Sequence, residues 1–192
     1  MENRKPLGKL YGKKVAVLVT DGFEESELTE PVKALRAAGA EVEILSDHAG
    51  EVQAFRHLEK TIRVKVDRTL EQASPEDYDG LELPGGALNA DRLRVNERAQ
   101  AFVREFFNWD KPVAAICHAP WILISSGLAR GRRLTSYHTI ADDVRNAGGH
   151  WIDERVVEDN NLITSRRPGD LPAFNEAMVR KFASPHPLHA AG

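Results

Sequence analysis

Residues 111–120 read Lys-Pro-Val-Ala-Ala-Ile-Cys-His-Ala-Pro, and residues 121–131 continue as Trp-Ile-Leu-Ile-Ser-Ser-Gly-Leu-Ala-Arg-Gly. Four consecutive apolar residues from Val113 to Ile116 are the signature of a strand covered on both faces, since a half-exposed strand would alternate. The apolar run then breaks at Cys117, and Pro120 opens a helix that the spacing ends near Gly127. The chain therefore turns from buried strand to helix at its one cysteine.

Working outward, the same unit recurs. Tyr78-Asp-Gly-Leu-Glu-Leu-Pro-Gly-Gly86 ends a strand in a Pro-Gly-Gly turn, and Ala99, Phe102, Val103, Phe106 and Phe107 mark the helix that follows. Residues 13–20, KKVAVLVT, form a strand that feeds the acidic turn DGFEESE and then a helix over Ser26–Ala38. Leu28, Val32 and Leu35 give that helix its apolar stripe, Pro31 lies in its first turns and Gly39 caps its end. AEVEILS, 40–46, completes a strand-helix-strand unit of the parallel type. Residues 50–68 alternate at Ile62, Val64 and Val66, which predicts a half-exposed strand or hairpin at a sheet edge. Residues 139–149 read as a helix, 156–165 as a hairpin turning at Asp159–Asn161, and 171–183 as the closing helix. Strands alternating with helices predict a doubly wound α/β fold, with one domain over 1–192 and frayed tails at 1–12 and 184–192. In such sheets ligands bind at the carboxyl ends of the strands, where the loops DGFEESE, LPGGALNAD and ICHAP would converge.

Composition narrows the function. With 42% hydrophobic and 29% charged residues the chain has the balance of a globular protein, and no apolar run is long enough to span a bilayer. A formal charge of -3 gives no basic patch for nucleic acid or anionic lipid. The run VAVLVT is too short for a signal segment, so a cytoplasmic address is expected. A single cysteine forms no internal disulfide; it is either a buried small hydrophobe or a reactive group, and its surroundings decide which. There is no G-x-G-x-x-G, no GKS or GKT and no H-E-x-x-H, and the seven histidines are scattered, so no cofactor and no metal is expected.

A strand-to-helix elbow projects its side chain out of the layer, and a helix amino terminus favours a thiolate. His118 follows at once and titrates near neutral pH, so it can take the thiol proton or donate to a leaving group. Glu24, Glu25 and Glu27 precede a helix, where acids ordinarily do no more than stabilise its start; a carboxyl beside a thiolate would instead be protonated and donate to sulfur. Gly85 and Gly86 let the backbone approach a ligand with its N–H groups turned inward, as a tight turn or an oxyanion hole requires. Tyr137 and His138, in LTSYHT, either edge the pocket or merely close a strand.

The elements VAVLVTDGFEESELTEP, LELPGG, VNERA, KPVAAICHAP, GLARGRRLTSY, NAGGHW and TSRRPGDLPAF together resemble the PfpI family of cysteine-dependent hydrolases, related to the Parkinsonism-associated deglycases. The resemblance runs from about Lys14 to Phe182. It implies a flavodoxin-like three-layer sandwich of the class I glutamine amidotransferase type and assembly as a homodimer or homohexamer. It also implies Cys117 as nucleophile, His118 as its partner, Glu27 as the acid bonded to sulfur and Glu24 as a second acid of the pocket. The N–H groups of Gly86 and His118 correspond to oxyanion donors. A neighbouring subunit's glutamate completes the triad in the peptidase-like branch; here Asp91 falls at that position, in a segment one residue longer than the pattern. Substrates implied are a small carbonyl compound, a glycated amine or a peptide, in a stress-response setting. A non-enzymatic alternative uses the same thiol as an oxidation sensor, its sulfinate held by Glu27, or as a chaperone.

Overall fold

The computed structural model describes residues 8–184. In chain order the elements are β1 (Lys14–Leu18), β2 (Phe23–Glu24), α1 (Glu25–Ala37), β3 (Glu41–Ser46), β4 (Glu51–Arg56), β5 (Glu59–Lys65), β6 (Arg68–Thr69), β7 (Gly80–Leu83), α2 (Ala87–Leu93) and α3 (Glu97–Asn108). They continue with β8 (Val113–Ile116), α4 (Pro120–Ser125), β9 (Arg133–Leu134), α5 (Ala141–Asn146), β10 (His150–Trp151), β11 (Val156–Asp159), β12 (Leu162–Ser165) and α6 (Leu171–Ala183).

Seven strands form the central sheet in the order β11-β12-β8-β7-β1-β3-β6, parallel except for β11. The inner strands β1, β7 and β8 are buried almost throughout, which is why their sequences are unbroken apolar runs rather than alternating ones. Alternate residues feed two cores. Val15, Val17, Ala114 and Ile116 meet Leu28, Val32, Phe174 and Met178 from α1 and α6. Ala16, Leu18, Leu81, Leu83 and Ala115 meet Phe102, Phe106, Ile122 and Val144 from α3, α4 and α5. The result is the flavodoxin-like three-layer sandwich, with β1, β7 and β8 delivering their carboxyl-terminal loops to one rim.

The structure departs from the sequence reading at three places. The alternating segment at 50–68 is a hairpin with β5 at a sheet edge, as expected, but the sheet is a separate three-stranded one in which β4 and β5 pair antiparallel and β4 joins β2. The stretch after the Pro-Gly-Gly turn holds two helices, because Asn96 caps a new one by accepting a bond from the Ala99 N–H at 3.0 Å. Residues 8–12, expected in a frayed tail, form turns in which Leu10 is fully buried and its N–H donates to Ala38 O at 2.8 Å. An apolar side chain that closes the end of α1 gains more from burial than the turn loses in entropy. The expected frayed tails at 1–7 and 185–192 lie outside the described residues.

Phe174 is fully buried between α6 and the sheet, on the face that also carries α1. Phe174→Ala is expected to lower unfolding free energy by about 3–5 kcal/mol, read from urea titration.

Candidate active site

Cys117 ends β8 with φ 65°, a left-handed backbone that non-glycine residues rarely adopt. Three backbone bonds fix this elbow: Cys117 N–H donates to Ser165 O at 3.0 Å, Ala119 N–H to Ile116 O at 3.0 Å, and Tyr137 N–H to Cys117 O at 2.8 Å. The thiol is thus held at the rim by the end of β12 on one side and by the Tyr137 segment on the other.

His118 Nδ1 lies 3.2 Å from Cys117 Sγ, and its Nε2 is 3.4 Å from Thr139 Oγ1. The imidazole is stacked on Tyr137 at 4.9 Å and flanked by Trp121 at 5.3 Å. Burial, then the nearby His138, hold its pKa below the ordinary value, so it is a neutral base at physiological pH. His138 itself is exposed and packs its ring against Tyr137.

Glu27 projects from α1 under the thiol and is completely buried. Burial, then the charge of Glu24, push its pKa from 4.5 to about 8, while Cys117 and the Gly85 N–H pull the other way. Neither carboxyl oxygen makes a hydrogen bond of ordinary length and angle among the described residues. Glu24 lies at the start of α1, where its Oε2 accepts the His57 N–H at 3.0 Å from the tip of the β4–β5 hairpin. Gly85 is required for closeness: a Cβ there would fall 2.5 Å from Cys117 Cβ and 2.7 Å from Ile116 O, and nearer still to the Glu27 carboxyl. Gly86, at φ 89°, is required for both conformation and space, since its Cβ would approach Glu24 N and Gly22 O at 2.6 Å.

The N–H groups of Gly86 and His118 are directed at the sulfur and favour its anion. They do not win. Burial, then any charge on Glu27, raise the thiol pKa well above its ordinary value, against the pull of the helix terminus. The helix in question, α4, is only six residues long. Burial thus biases the thiol and the Glu27 carboxyl towards their protonated forms and the imidazole towards its neutral one.

Asp91 is not brought to this cluster within one chain. It is exposed on α2 and paired with Arg94 Nε at 2.9 Å, while the Arg94 guanidinium stacks over Trp121 at 4.9 Å. Two residues that the sequence reading missed shape the site. Asn89 is fully buried; its Oδ1 accepts the Thr20 N–H at 2.8 Å and its Nδ2 donates to Pro84 O and Gly85 O at 2.9 and 3.0 Å, tying the end of β1 to the Gly-Gly turn. The signal was a polar residue beside Ala90 and Leu93 on a helical face. Glu82, an acid between two leucines in a buried strand, is the other.

Comparison with known proteins follows this geometry. The family described as "DJ-1/PfpI family" matches residues 13–181. "Protein/nucleic acid deglycase 2" of Escherichia coli is 45% identical over 88% of this chain and 96% of its own length. "Deglycase TK1284" of Thermococcus kodakarensis is 43% identical over 87% of this chain and 98% of its own. The solved structure of Drosophila melanogaster DJ-1beta is similar with a TM-score of 0.82 at 29% identity, covering 89% of this chain and 90% of that one. Among the described residues no helix is long and apolar enough to cross a membrane, and no cluster of side chains is suited to a metal.

A buried carboxyl whose pKa is raised binds its proton more tightly in the folded chain. The stability it permits is therefore fully present below pH 4.5, declines as pH rises towards about 8 and is flat beyond. Glu27→Gln, always neutral, is expected to melt above the parent at pH 8, the gap closing towards pH 4.5; a gap that does not change with pH would refute this reading.

Proposed function

This chain belongs to the DJ-1/PfpI family, and from that membership and the Cys117 elbow we propose that it is a cysteine-dependent hydrolase, acting on a small carbonyl compound, a glycated amine or a peptide. The observation that carries the proposal is the 3.2 Å approach of His118 Nδ1 to a sulfur that the Gly86 and His118 N–H groups also face.

The steps follow from the resting charges. As the sulfur attacks a carbonyl carbon, its proton passes to His118 Nδ1, which is neutral and within reach. The carbonyl π pair moves to oxygen, and the N–H groups of Gly86 and His118 are the donors available to that oxyanion. Glu27, protonated, donates to the sulfur while it is anionic and so offsets the cost of burying that charge. Where the substrate carries an amine leaving group, the imidazolium returns its proton to that amine, and a water that gives its proton to His118 then displaces the acyl group from sulfur, which takes that proton back. A free 2-oxoaldehyde has no leaving group, so its hemithioacetal passes a proton from C1 to C2 and becomes the thioester that water hydrolyses. Tyr137 and Trp121 hold the imidazole plane during both transfers.

Asp91 enters this reading only through assembly. In a homodimer or homohexamer a neighbouring copy would bring its Asp91 to His118 Nε2, whose hydrogen-bond partner among the described residues of one chain is the Thr139 hydroxyl. A carboxylate there would stabilise the imidazolium.

The test is methylglyoxal consumption and fluorogenic peptide cleavage measured side by side for the parent, Cys117→Ala and His118→Ala. One of the two activities is expected, absent in Cys117→Ala and reduced by about 10²–10⁴ in His118→Ala. If neither is present while peroxide adds two oxygens at Cys117 alone, the hydrolase reading falls and the sensor reading replaces it.

A further inference from the structure

Glu82 occupies the centre of β7, the middle strand of the sheet, where its register neighbours are Val17 on β1 and Ala114 on β8. Those two belong to the apolar layer beneath α1 and α6, whereas Leu81 and Leu83 on either side of it belong to the opposite layer. The Glu82 carboxyl therefore points into the same layer that receives Glu27 from α1. Both side chains are 0% exposed; Glu82 has no hydrogen-bond partner among the described residues, while Glu27 has only the Cys117 thiol and the Gly85 N–H near it. Two residues past Leu83 on the same strand end lies Gly85, the backbone against which the Glu27 carboxyl rests.

A lone acid in a core position costs stability that valine or leucine would not, so a use is to be sought in what it faces. The layer is narrow in this respect. α1 presents Glu27, with Glu24 at its start; the end of β8 presents Cys117; β1 and α6 present the apolar Val17, Phe174 and Met178. Glu82 and Glu27 are the two acids buried in this layer, one on the strand that leads to Gly85 and the other on the helix whose carboxyl rests against Gly85.

We propose that Glu82 is a positioning residue for Cys117: as a neutral acid its O–H donates to the inward oxygen of Glu27, so that the O–H of Glu27 turns to the sulfur. The chain of donors runs Glu82 to Glu27 to the thiolate. It fixes the Glu27 carboxyl from the side away from Cys117, where the described residues offer it no other donor. Backing by a second donor polarises the Glu27 hydroxyl and strengthens its bond to the anion. No proton leaves the pair when Cys117 ionises; the thiol proton goes to His118.

The test reads the thiol rather than turnover, so it stands or falls independently of the hydrolase proposal and needs only that Cys117 reacts. Iodoacetamide alkylation of Cys117 is followed against pH in the full chain, with thermal melting alongside. Glu82→Leu is expected to fold and melt at or above the parent, yet to alkylate about tenfold more slowly at neutral pH, with its profile displaced to higher pH. Glu82→Gln keeps a donor and recovers most of the rate. In a Glu27→Ala background Glu82→Leu has no further effect. Should the leucine variant unfold, Glu82→Met supplies the same reading. A rate for Glu82→Leu within twofold of the parent overturns the proposal, as does a loss in Glu82→Gln equal to that in Glu82→Leu.

Discussion

The left-handed backbone of Cys117 is the constraint on which the site depends. A side chain in that region costs about 1–2 kcal/mol, and nothing local offsets it, since cysteine has neither the freedom of glycine nor the short amide of asparagine. The offset comes from around it: Ser165 at the end of β12 takes the Cys117 N–H, and the Tyr137 segment gives its N–H to the Cys117 carbonyl. The elbow therefore exists only when β8 is flanked correctly, and the same flanking brings the Tyr137 ring onto His118. Sheet order and site geometry are one arrangement.

The second dependence is on absent side chains. The elbow, the Gly-Gly turn and the start of α1 are packed so closely that a methyl group at position 85 would strike Cys117 Cβ and the Glu27 carboxyl, and one at 86 the backbone of residues 22–24. Asn89 then replaces the hydrogen bonds that so tight a loop cannot make with itself, serving a donor at Thr20 and two carbonyls at 84 and 85. Water is excluded as a result, and that exclusion, more than any nearby charge, moves both the thiol and Glu27 towards their neutral forms.

How far the sequence disclosed this follows from which interactions are local. The strand-turn-helix units at 13–38 and 111–127 were legible because each carries its own period and its own breaks, and the closing helix matches its expected span of 171–183. The hairpin at 50–68 was legible as a hairpin but not as a separate sheet, because its partner β2 is a two-residue strand inside what reads as a turn. Cys117, His118 and Glu27 were identified as a set, whereas the balance of effects on the thiol was not. A helix terminus is visible in sequence; the desolvation and the acid that outweigh it depend on residues ninety apart. Asn89 and Glu82 carried a signal, polar residues within apolar surroundings, whose meaning required the fold.

Buried acids give this fold an internal tension with a definite sign. Burial raises the carboxyl pKa of both Glu27 and Glu82, so each binds its proton more tightly in the folded chain than in the unfolded one and lowers stability as the solution becomes more alkaline. Removing either would strengthen the protein, yet a thiolate formed at Cys117 would then face an apolar wall. A carboxyl that stays protonated in the dry layer is the one neutral group able to donate to sulfur there without bringing a charge of its own. The instability of the acids and their capacity to hold an anion on Cys117 have the same cause, the exclusion of water from the layer between α1 and the sheet.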